Sequence, residues 1–495
     1  MSSRKEFIVI FFVNKAIGHG NSGVEHAQFY RADIFRQAHQ PFKMIYSDLL
    51  PKLHEHAAEW HLQESEVIGL YDYFLSDDPD DYLRNGLREV SEYHEEVLWD
   101  QTHTQRRFDR QTTGGYFETI QRVKRYSDER KLYLVDDDRV ILTNGNHKIM
   151  WHYRDSGSRK KQAVSIRLFN FKGRDYFFQT YEALVMFFYE QLNQTYPNSL
   201  YIIDRGQEHE EALIHLKRQG AGVKLLDVVH AAHLAQFEGA HPLWNNYYQY
   251  MFDHLDDMSA VINATEVQTQ AMKADLSRVG QKQLDKITTI PVGGVETVMP
   301  ARHWSGKEAR FVTASRLHPE KHITQIVSAI KLLRDQGLNA TLTIYGDGGD
   351  IPHIKKSISE LKLQKFVTLA GLSQHVIDDL KQYDAFVSAS YSEGFGLTYI
   401  EAISDALPIA TYANFFGAQE LVKEGLNGHL ATFERHQDAT EKNVVQLSQA
   451  MAAVFQSTAH YADLSRGAEA VAKKYQTQEI AKKWSALIRR VNHES

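Results

Sequence analysis

From residue 309 onward the sequence alternates short apolar runs with amphipathic stretches, with a regularity that leaves few architectures open. RFVTASRL, TLTIYGDG, KFVTLAGL, DAFVSAS and PIATYA each read as a buried strand, with helical stretches between them. Alternation of this kind requires crossover connections, which place helices on both faces of a parallel sheet. The other end of the chain opens in the same way. FIVIFFV is a buried strand, GHGNSG a glycine loop, VEHAQFYRADIFRQ a helix with Val24, Ala27, Ile34 and Phe35 near helical spacing, and FKMIYSD a second strand. A chain of 495 residues exceeds what one core can bury and suits two or three domains.

Between these halves the texture changes. RRFDRQ, YFETIQRVKRYS, KLYLVDDDRVIL, HKIMWHYRD and AVSIRLFN alternate polar with apolar or aromatic residues, and charged segments such as DDD and RDSGSRKK read as the turns between them. Period-two alternation at short spacing predicts an antiparallel meander inserted into the first doubly wound domain. TYEALVMFFYEQLNQ restores a helix, SLYIIDRG, VKLLDVVH and SAVINAT restore buried strands, and TTIPVGGV at 288–295 reads as an interdomain linker. The expected organisation is an N-terminal Rossmann-like domain over 1–68 and 173–292, a meander over 69–172, a C-terminal Rossmann-like domain over 293–475, and a final amphipathic helix over 476–495 that returns to the first domain.

Charge narrows the function. A net charge of −7 argues against a nucleic-acid partner, which would leave a basic footprint. The chain has no cysteine, so it has no thiolate nucleophile, disulfide or cysteine-ligated metal, which fits a cytoplasmic location. The apolar run Phe7–Val13 is seven residues long and is followed by Asn14 and Lys15, which suits a first strand better than a secretory leader. No stretch approaches the roughly 18 apolar residues of a membrane span. A soluble protein is expected, with a peripheral membrane contact still compatible.

The segment SEGFGLTYIEAI carries the strongest chemical signal. Glu393 follows the strand DAFVSAS, a helix is predicted to begin near Gly396 or Leu397, and Glu401 falls about one turn into it. Gly394 and Gly396 let backbone approach a ligand closely. The N–H groups of Leu397 and Thr398, with Phe395 before them, belong to a helix start that favours an anion. Carboxylates beside an anion-binding turn fit a ligand that carries both a diphosphate and hydroxyl groups, because ionised acceptors hold hydroxyls firmly. Two solvated glutamates on a surface helix are the plain alternative. Arg316 and Lys321, at the end of the strand RFVTASRL, strengthen the ligand reading, since ligands of open parallel sheets bind beyond the carboxyl ends of strands. Such cations would neutralise a diphosphate leaving group. Gly346 ends the next strand. In the first half, Gly18, Gly20, Asn21, Ser22 and Gly23 form a Gly-x-Gly-x-x-Gly loop. With Asp48 this loop also fits a dinucleotide fingerprint, a reading that leaves residues 300–430 unexplained. His230 and His233 follow the strand VKLLDVV, and His233 is favoured as a group that orients a hydroxyl. With 25 histidines in the chain, either could be a bystander.

At these positions the chain resembles retaining glycosyltransferases of the GT-B fold, family 4: Glu393 and Glu401 stand in its E-x7-E motif beside Arg316 and Lys321, and IPVGGV and NGHL match its linker and late turn. SGVEHAQFYRADIFR and PLWNNYYQYMF are similar to the branch that holds the catalytic subunits of bacterial O-GlcNAc transferases acting on serine-rich adhesins, and the meander is shared with wall-teichoic-acid α-glycosyltransferases. The resemblance implies an α/β GT-B fold and a UDP-sugar co-substrate, UDP-GlcNAc or UDP-glucose. It also implies retention, no resident cofactor and no metal. It further implies a protein or teichoic-acid acceptor, and assembly through the meander with a copy of itself or a paralogous subunit. A non-catalytic partner subunit is the alternative of another class, one that retention of Arg316, Lys321, Glu393 and Glu401 argues against. Two departures stand out: NFFGAQE replaces a glycine pair usual after the fifth C-domain strand, and HAAHLAQ lacks an acidic residue between its histidines.

Overall fold

The computed structural model describes residues 8–20, 22–155, 161–239, 241–373 and 375–493. The chain divides into two compact units, Met1–Val228 with Asn246–Ala260, and Val229–Asn245 with Val261–Ser495.

In the first unit the opening apolar run becomes β1 (Ile10–Asn14), with every residue buried. It pairs in parallel with β2 (Phe42–Tyr46) and with β11 (Leu200–Ile203). β3 (Val67–Gly69) extends the sheet beyond β2, and β12 (Lys224–Val229) beyond β11. Strands buried on both faces read as continuous apolar runs, which is why these were visible in the sequence. The helix Gly23–Gln37 starts at a capping box in which Ser22 accepts from Val24 N–H while the Glu25 carboxylate accepts from Ser22 N–H at 2.7 Å. Beneath it, Asn14 donates to Gln28 (3.0 Å), Gln28 donates to Asp204 (2.7 Å), and Arg31 pairs with the same buried carboxylate.

The inserted element is a seven-stranded antiparallel sheet: β4 (His94–Trp99), β5 (Gln105–Gln111), β6 (Phe117–Ser127), β7 (Leu132–Asn144), β8 (His147–Asp155), β9 (Lys161–Phe171) and β10 (Arg174–Thr180), each paired with the next in sequence. It begins and ends later than the composition suggested. Residues after 69 first form two short helices, Leu70–Leu75 and Pro79–Asn85, the second capped by Asp78. The expected turn at DDD is also corrected, because Asp136–Asp138 run through the middle of the thirteen-residue β7. Cross-strand cations make this tolerable: Arg122 holds Asp137 at 2.7 Å and Arg125 holds Asp136 at 3.0 Å. The RDSGSRKK turn falls largely outside the described residues. Val140, Leu142, Ile149, Trp151, Ile166 and Leu168 are buried, and Trp151 stacks on Tyr71 of the helix Leu70–Leu75. Where the sheet meets the helix Leu53–Glu59, the buried His54 faces Glu64 at 2.8 Å and Asp72 at 3.4 Å. A Cβ on Gly114 would fall 1.8 Å from the Asp72 carboxylate, so glycine lets the β5–β6 turn seat there.

In the second unit a hairpin, β13 (Leu234–Glu238) with β14 (His241–Trp244), precedes β15 (Ala260–Asn263) and β16 (Ile287–Thr289), which pair in parallel. The segment read as a linker therefore starts inside a strand. The remaining strands are β17 (Ala309–Ala314), β18 (Ala340–Tyr345), β19 (Val367–Gly371), β20 (Ala385–Ser388), β21 (Ser392–Glu393), β22 (Ile409–Tyr412), β23 (Phe415–Phe416) and β24 (Gly428–Ala431). Six of them form a parallel sheet in the order β19-β18-β17-β20-β22-β24. The helices Ile323–Asp335, Thr440–Val454 and Thr458–Lys474 bury Ile326, Ile330, Leu447, Met451 and Leu464 in one core with Phe311, Leu342 and Val387 of the sheet. The final amphipathic stretch forms the helix Thr477–His493.

Candidate active site

Two loops at the carboxyl ends of β17 and β20 carry the predicted charges. After β17 the chain makes a short 3-10 turn, Pro319–Lys321, and His322 takes a left-handed conformation (φ 48°) before the helix Ile323–Asp335. After β20, Ser392–Glu393 forms the short strand β21, and Gly396 (φ +88°) leads into the helix Leu397–Ser404, as the sequence predicted. Lys321 Nζ and Glu393 Oε1 meet at 2.6 Å, with side chains 17% and 21% exposed. Ring stacking joins these loops, because His322 lies on Tyr391 with centroids 3.9 Å apart. The Tyr391 hydroxyl accepts from Gln325 (2.8 Å) and Asn443 (2.9 Å). Arg316 is not brought to this pair. Its guanidinium, 60% exposed, lies 3.3 Å from Glu320.

Glycine has a steric cause in the Glu393 loop. A Cβ on Gly394 would stand 2.3 Å from the carbonyl oxygen of His230. That contact sets the histidine segment directly against the Glu393–Gly394 peptide. Phe395 is buried. The helix that follows has no side-chain cap, and its Tyr399 and Ile400 N–H groups donate to the Gly396 carbonyl. The amides of Leu397 and Thr398 form the first turn, where the helix dipole favours an anion. Glu401 is half-buried on the same helix. Gly346 has a packing role: its N–H donates to Gly371 at 2.7 Å, and a Cβ there would fall 1.9 Å from Ser315 O.

β21 pairs in parallel with β23, setting Ser392 against Phe415 and Glu393 against Phe416. The Phe416 ring in turn stacks on His233, centroids 5.8 Å apart. His233 is 2% exposed, and its Nε2 lies 3.1 Å from Asp275. Burial pushes its pKa below the usual imidazole range, with Asp275 opposing the shift. Lys321, Glu393, Phe416 and His233 thus form one continuous chain of contacts within the second unit.

The glycine loop belongs to the first unit, between β1 and the helix Gly23–Gln37. Asn21 lies outside the described residues. Trp60 Nε1–H donates to the Gly18 carbonyl at 2.9 Å, and Trp60 stacks on Phe29, tying the loop down. A Cβ on Gly18, Gly20 or Gly23 would meet nothing within 4 Å, so packing inside this unit does not demand glycine at any of the three.

Sequence reasoning missed the frame around these groups. Tyr399 bonds Ser388 (3.1 Å) and Thr411 (3.0 Å), and Asn414 donates both to Tyr399 (3.1 Å) and to the Ser390 carbonyl (2.9 Å). Buried polar residues at strand ends were the available signal. Asp275 left none, since it lies 42 residues from His233.

Fold and site together define a glycosyltransferase of the GT-B class: two Rossmann-like α/β units, with cation and carboxylate gathered beyond a parallel sheet beside a helix start. Residues 295–454 match the family model of glycosyl transferases group 1. Over 99% of its length the chain is 28% identical to the whole UDP-N-acetylglucosamine--peptide N-acetylglucosaminyltransferase GtfA subunit of Streptococcus gordonii. The solved pneumococcal O-GlcNAc transferase GtfA, in complex with UDP and GlcNAc, superposes with a TM-score of 0.73 at 25% identity, over 99% of this chain and all of that one. The solved GtfA/B complex contains a chain with the same fold, TM-score 0.74, 24% identical over 98% and 99% of the two chains.

Proposed function

We propose that the protein is a retaining, UDP-sugar-dependent glycosyltransferase that moves GlcNAc or glucose onto serine or threonine hydroxyls of a bacterial surface protein. The observation that carries this reading is the Lys321–Glu393 pair at the start of the helix Leu397–Ser404. A cation and first-turn amides suit a diphosphate, and the carboxylates of Glu393 and Glu401 suit the hydroxyls of the same ligand. The full-length similarity to GtfA subunits supports the UDP-GlcNAc donor and the protein acceptor.

Arg316, whose exposed guanidinium meets Glu320, can swing onto the same phosphates, and Gly18, Gly20 and Gly23 are read as donor-binding because packing within their own unit does not demand glycine there. Assembly with a paralogous subunit is supported by the likeness to a chain of the GtfA/B complex. The exposed Leu98, Trp99, Phe117, Tyr126, Tyr133 and Phe177 of the antiparallel sheet offer a surface for it. Among the described residues no helix is long and apolar enough to cross a membrane, which is compatible with work in the cytoplasm, either free or at the membrane surface.

Purified protein is incubated with labelled UDP-GlcNAc or UDP-glucose and either a serine-rich peptide or a poly(glycerol phosphate) or poly(ribitol phosphate) chain. Label should enter the peptide, and Glu401→Ala should abolish transfer. Label in the polymer alone would transfer the reading to teichoic acid. Turnover indifferent to Glu401→Ala would remove the proposed site.

A further inference from the structure

Glu393 stands on a strand too short to hold its own place. β21 and β23 have two residues each and pair in a single register, Glu393 against Phe416. Strands that hold a register usually run about three to ten residues. Yet the Glu393 carboxylate meets Lys321 Nζ at 2.6 Å. The turn after β23 presses on the same residue: a Cβ on Gly417 would fall 2.2 Å from the Phe395 carbonyl oxygen and 3.3 Å from Glu393 Cβ. The backbone over 414–417 is therefore the wall against which Glu393 rests, and whatever fixes that wall fixes the carboxylate.

Asn414 fixes it. Its side chain is wholly buried, and both ends of the amide are used. Nδ2 donates to the Ser390 carbonyl, three residues before Glu393, at 2.9 Å, and to the Tyr399 hydroxyl at 3.1 Å. Oδ1 accepts from Ala418 N–H at 3.1 Å, inside the short helix Gly417–Leu421. Turned over, the amide would set oxygen against a carbonyl and NH2 against an N–H, so one orientation alone satisfies these partners. Tyr399 braces it. Burial pushes the phenol up to about 12, so the hydroxyl keeps its proton. That proton goes to Ser388 of β20 at 3.1 Å, and Thr411 of β22, 3.0 Å away, donates in return. One amide thus joins the loop before Glu393, the helix Leu397–Ser404 and the segment beside β21.

We infer that Asn414 is a positioning residue for the transfer reaction: its amide, braced by the Tyr399 hydroxyl, sets the place of the Glu393 carboxylate relative to Lys321 and to the ligand. The assignment rests on the donor reading given above. It also gives the NFFGAQE segment a function. A glycine pair would leave this backbone loose, whereas here a side-chain amide restrains it. A carboxylate could not replace the amide, because it has no hydrogen for the Ser390 carbonyl. Misplacing a reacting group by about 1 Å can cost about 100-fold in rate.

Asn414→Ala, Asn414→Asp and Tyr399→Phe are each made in the wild type and in Glu393→Gln. The two Asn414 variants should lower kcat with UDP-GlcNAc at least thirtyfold, and Tyr399→Phe, which keeps the ring and loses only the brace, at least fivefold. UDP affinity by calorimetry should stay within threefold. In the Glu393→Gln background each change should cost no more than twofold, because a residue acting through Glu393 has nothing left to position. A purely structural residue would lower both backgrounds equally. Lost stability is expected on either view and does not decide between them. If the Asn414 variants fail to fold, the cycle of Tyr399→Phe with Glu393→Gln decides alone. Unchanged kcat in folded Tyr399→Phe, or losses that multiply fully with Glu393→Gln, would overturn the assignment and leave the donor reading intact. Wild type that binds no UDP-sugar, or Glu393→Gln that turns over like wild type, would overturn both.

Discussion

Replacing Lys321 by alanine separates catalysis from folding more sharply than any other change at the site. Lys321 Nζ sits 2.6 Å from Glu393, and both side chains are about four-fifths buried. In this half-wet setting an effective dielectric of about 20 applies, so a unit charge about 4 Å away is worth about 4 kcal/mol to a developing diphosphate. Loss of one preorganised electrostatic group commonly costs on the order of 10²–10³ in rate, about 2.7–4 kcal/mol. The same substitution costs the fold much less. An ion pair that keeps some solvent contributes about 1 kcal/mol or less. Expected, then, is a kcat with UDP-GlcNAc lowered by at least 100-fold alongside a denaturant midpoint that scarcely moves. The Glu393→Gln background tells whether Lys321 acts on the ligand or only on its carboxylate partner. If Lys321 contacts phosphate, removing it from Glu393→Gln should still cost at least thirtyfold. If the double variant equals Glu393→Gln alone, Lys321 serves only the pair and the argument for leaving-group stabilisation is wrong.

Gly394→Ala forces a Cβ to 2.3 Å from the His230 carbonyl, so it should destabilise the second unit by about 1–3 kcal/mol in urea unfolding and lower transfer as well. Gly20→Ala meets no atom within 4 Å, so the melting curve should be unchanged within about 0.5 kcal/mol, and a tenfold or greater loss of kcat/KM would mark a ligand at that loop. His54 is buried, which opposes its charge, but Asp72 and Glu64 outweigh burial and push its pKa up to about 9. A folded-state value above the unfolded one of about 6.5 means this contribution is complete below pH 6.5 and is lost as pH rises through about 9; the shift corresponds to about 3 kcal/mol. Urea midpoints measured from pH 6 to pH 10 should therefore fall in the wild type and fall less in His54→Gln.

Much of the design was legible locally. β1, β17 and β20 are continuous apolar runs because strands covered on both faces must be. The helix start at Leu397 was readable from glycines after a strand, and so was the placing of Arg316, Lys321 and Glu393 beyond strand ends, but not that Lys321 rather than Arg316 meets Glu393. The DDD segment misled because acidic runs usually signal turns. Cross-strand arginines from β6 neutralise it, and a strand's partners are not written in its own sequence.

The sequence by itself thus determined the two Rossmann-like halves, the inserted antiparallel sheet and the charged residues at the site, because periodicity and glycine placement act over a few neighbouring residues. Tertiary structure alone decided how those residues are held and what state they are in. Asp275 lies 42 residues from His233 and Phe416 lies 183 residues from it, yet the carboxylate places the ring proton and the phenyl ring fixes the imidazole plane. Hydrogen-bond direction and burial depend on what surrounds a side chain in space. One of two histidines after a strand therefore gained its buried, carboxylate-paired ring only once the chain had folded around it.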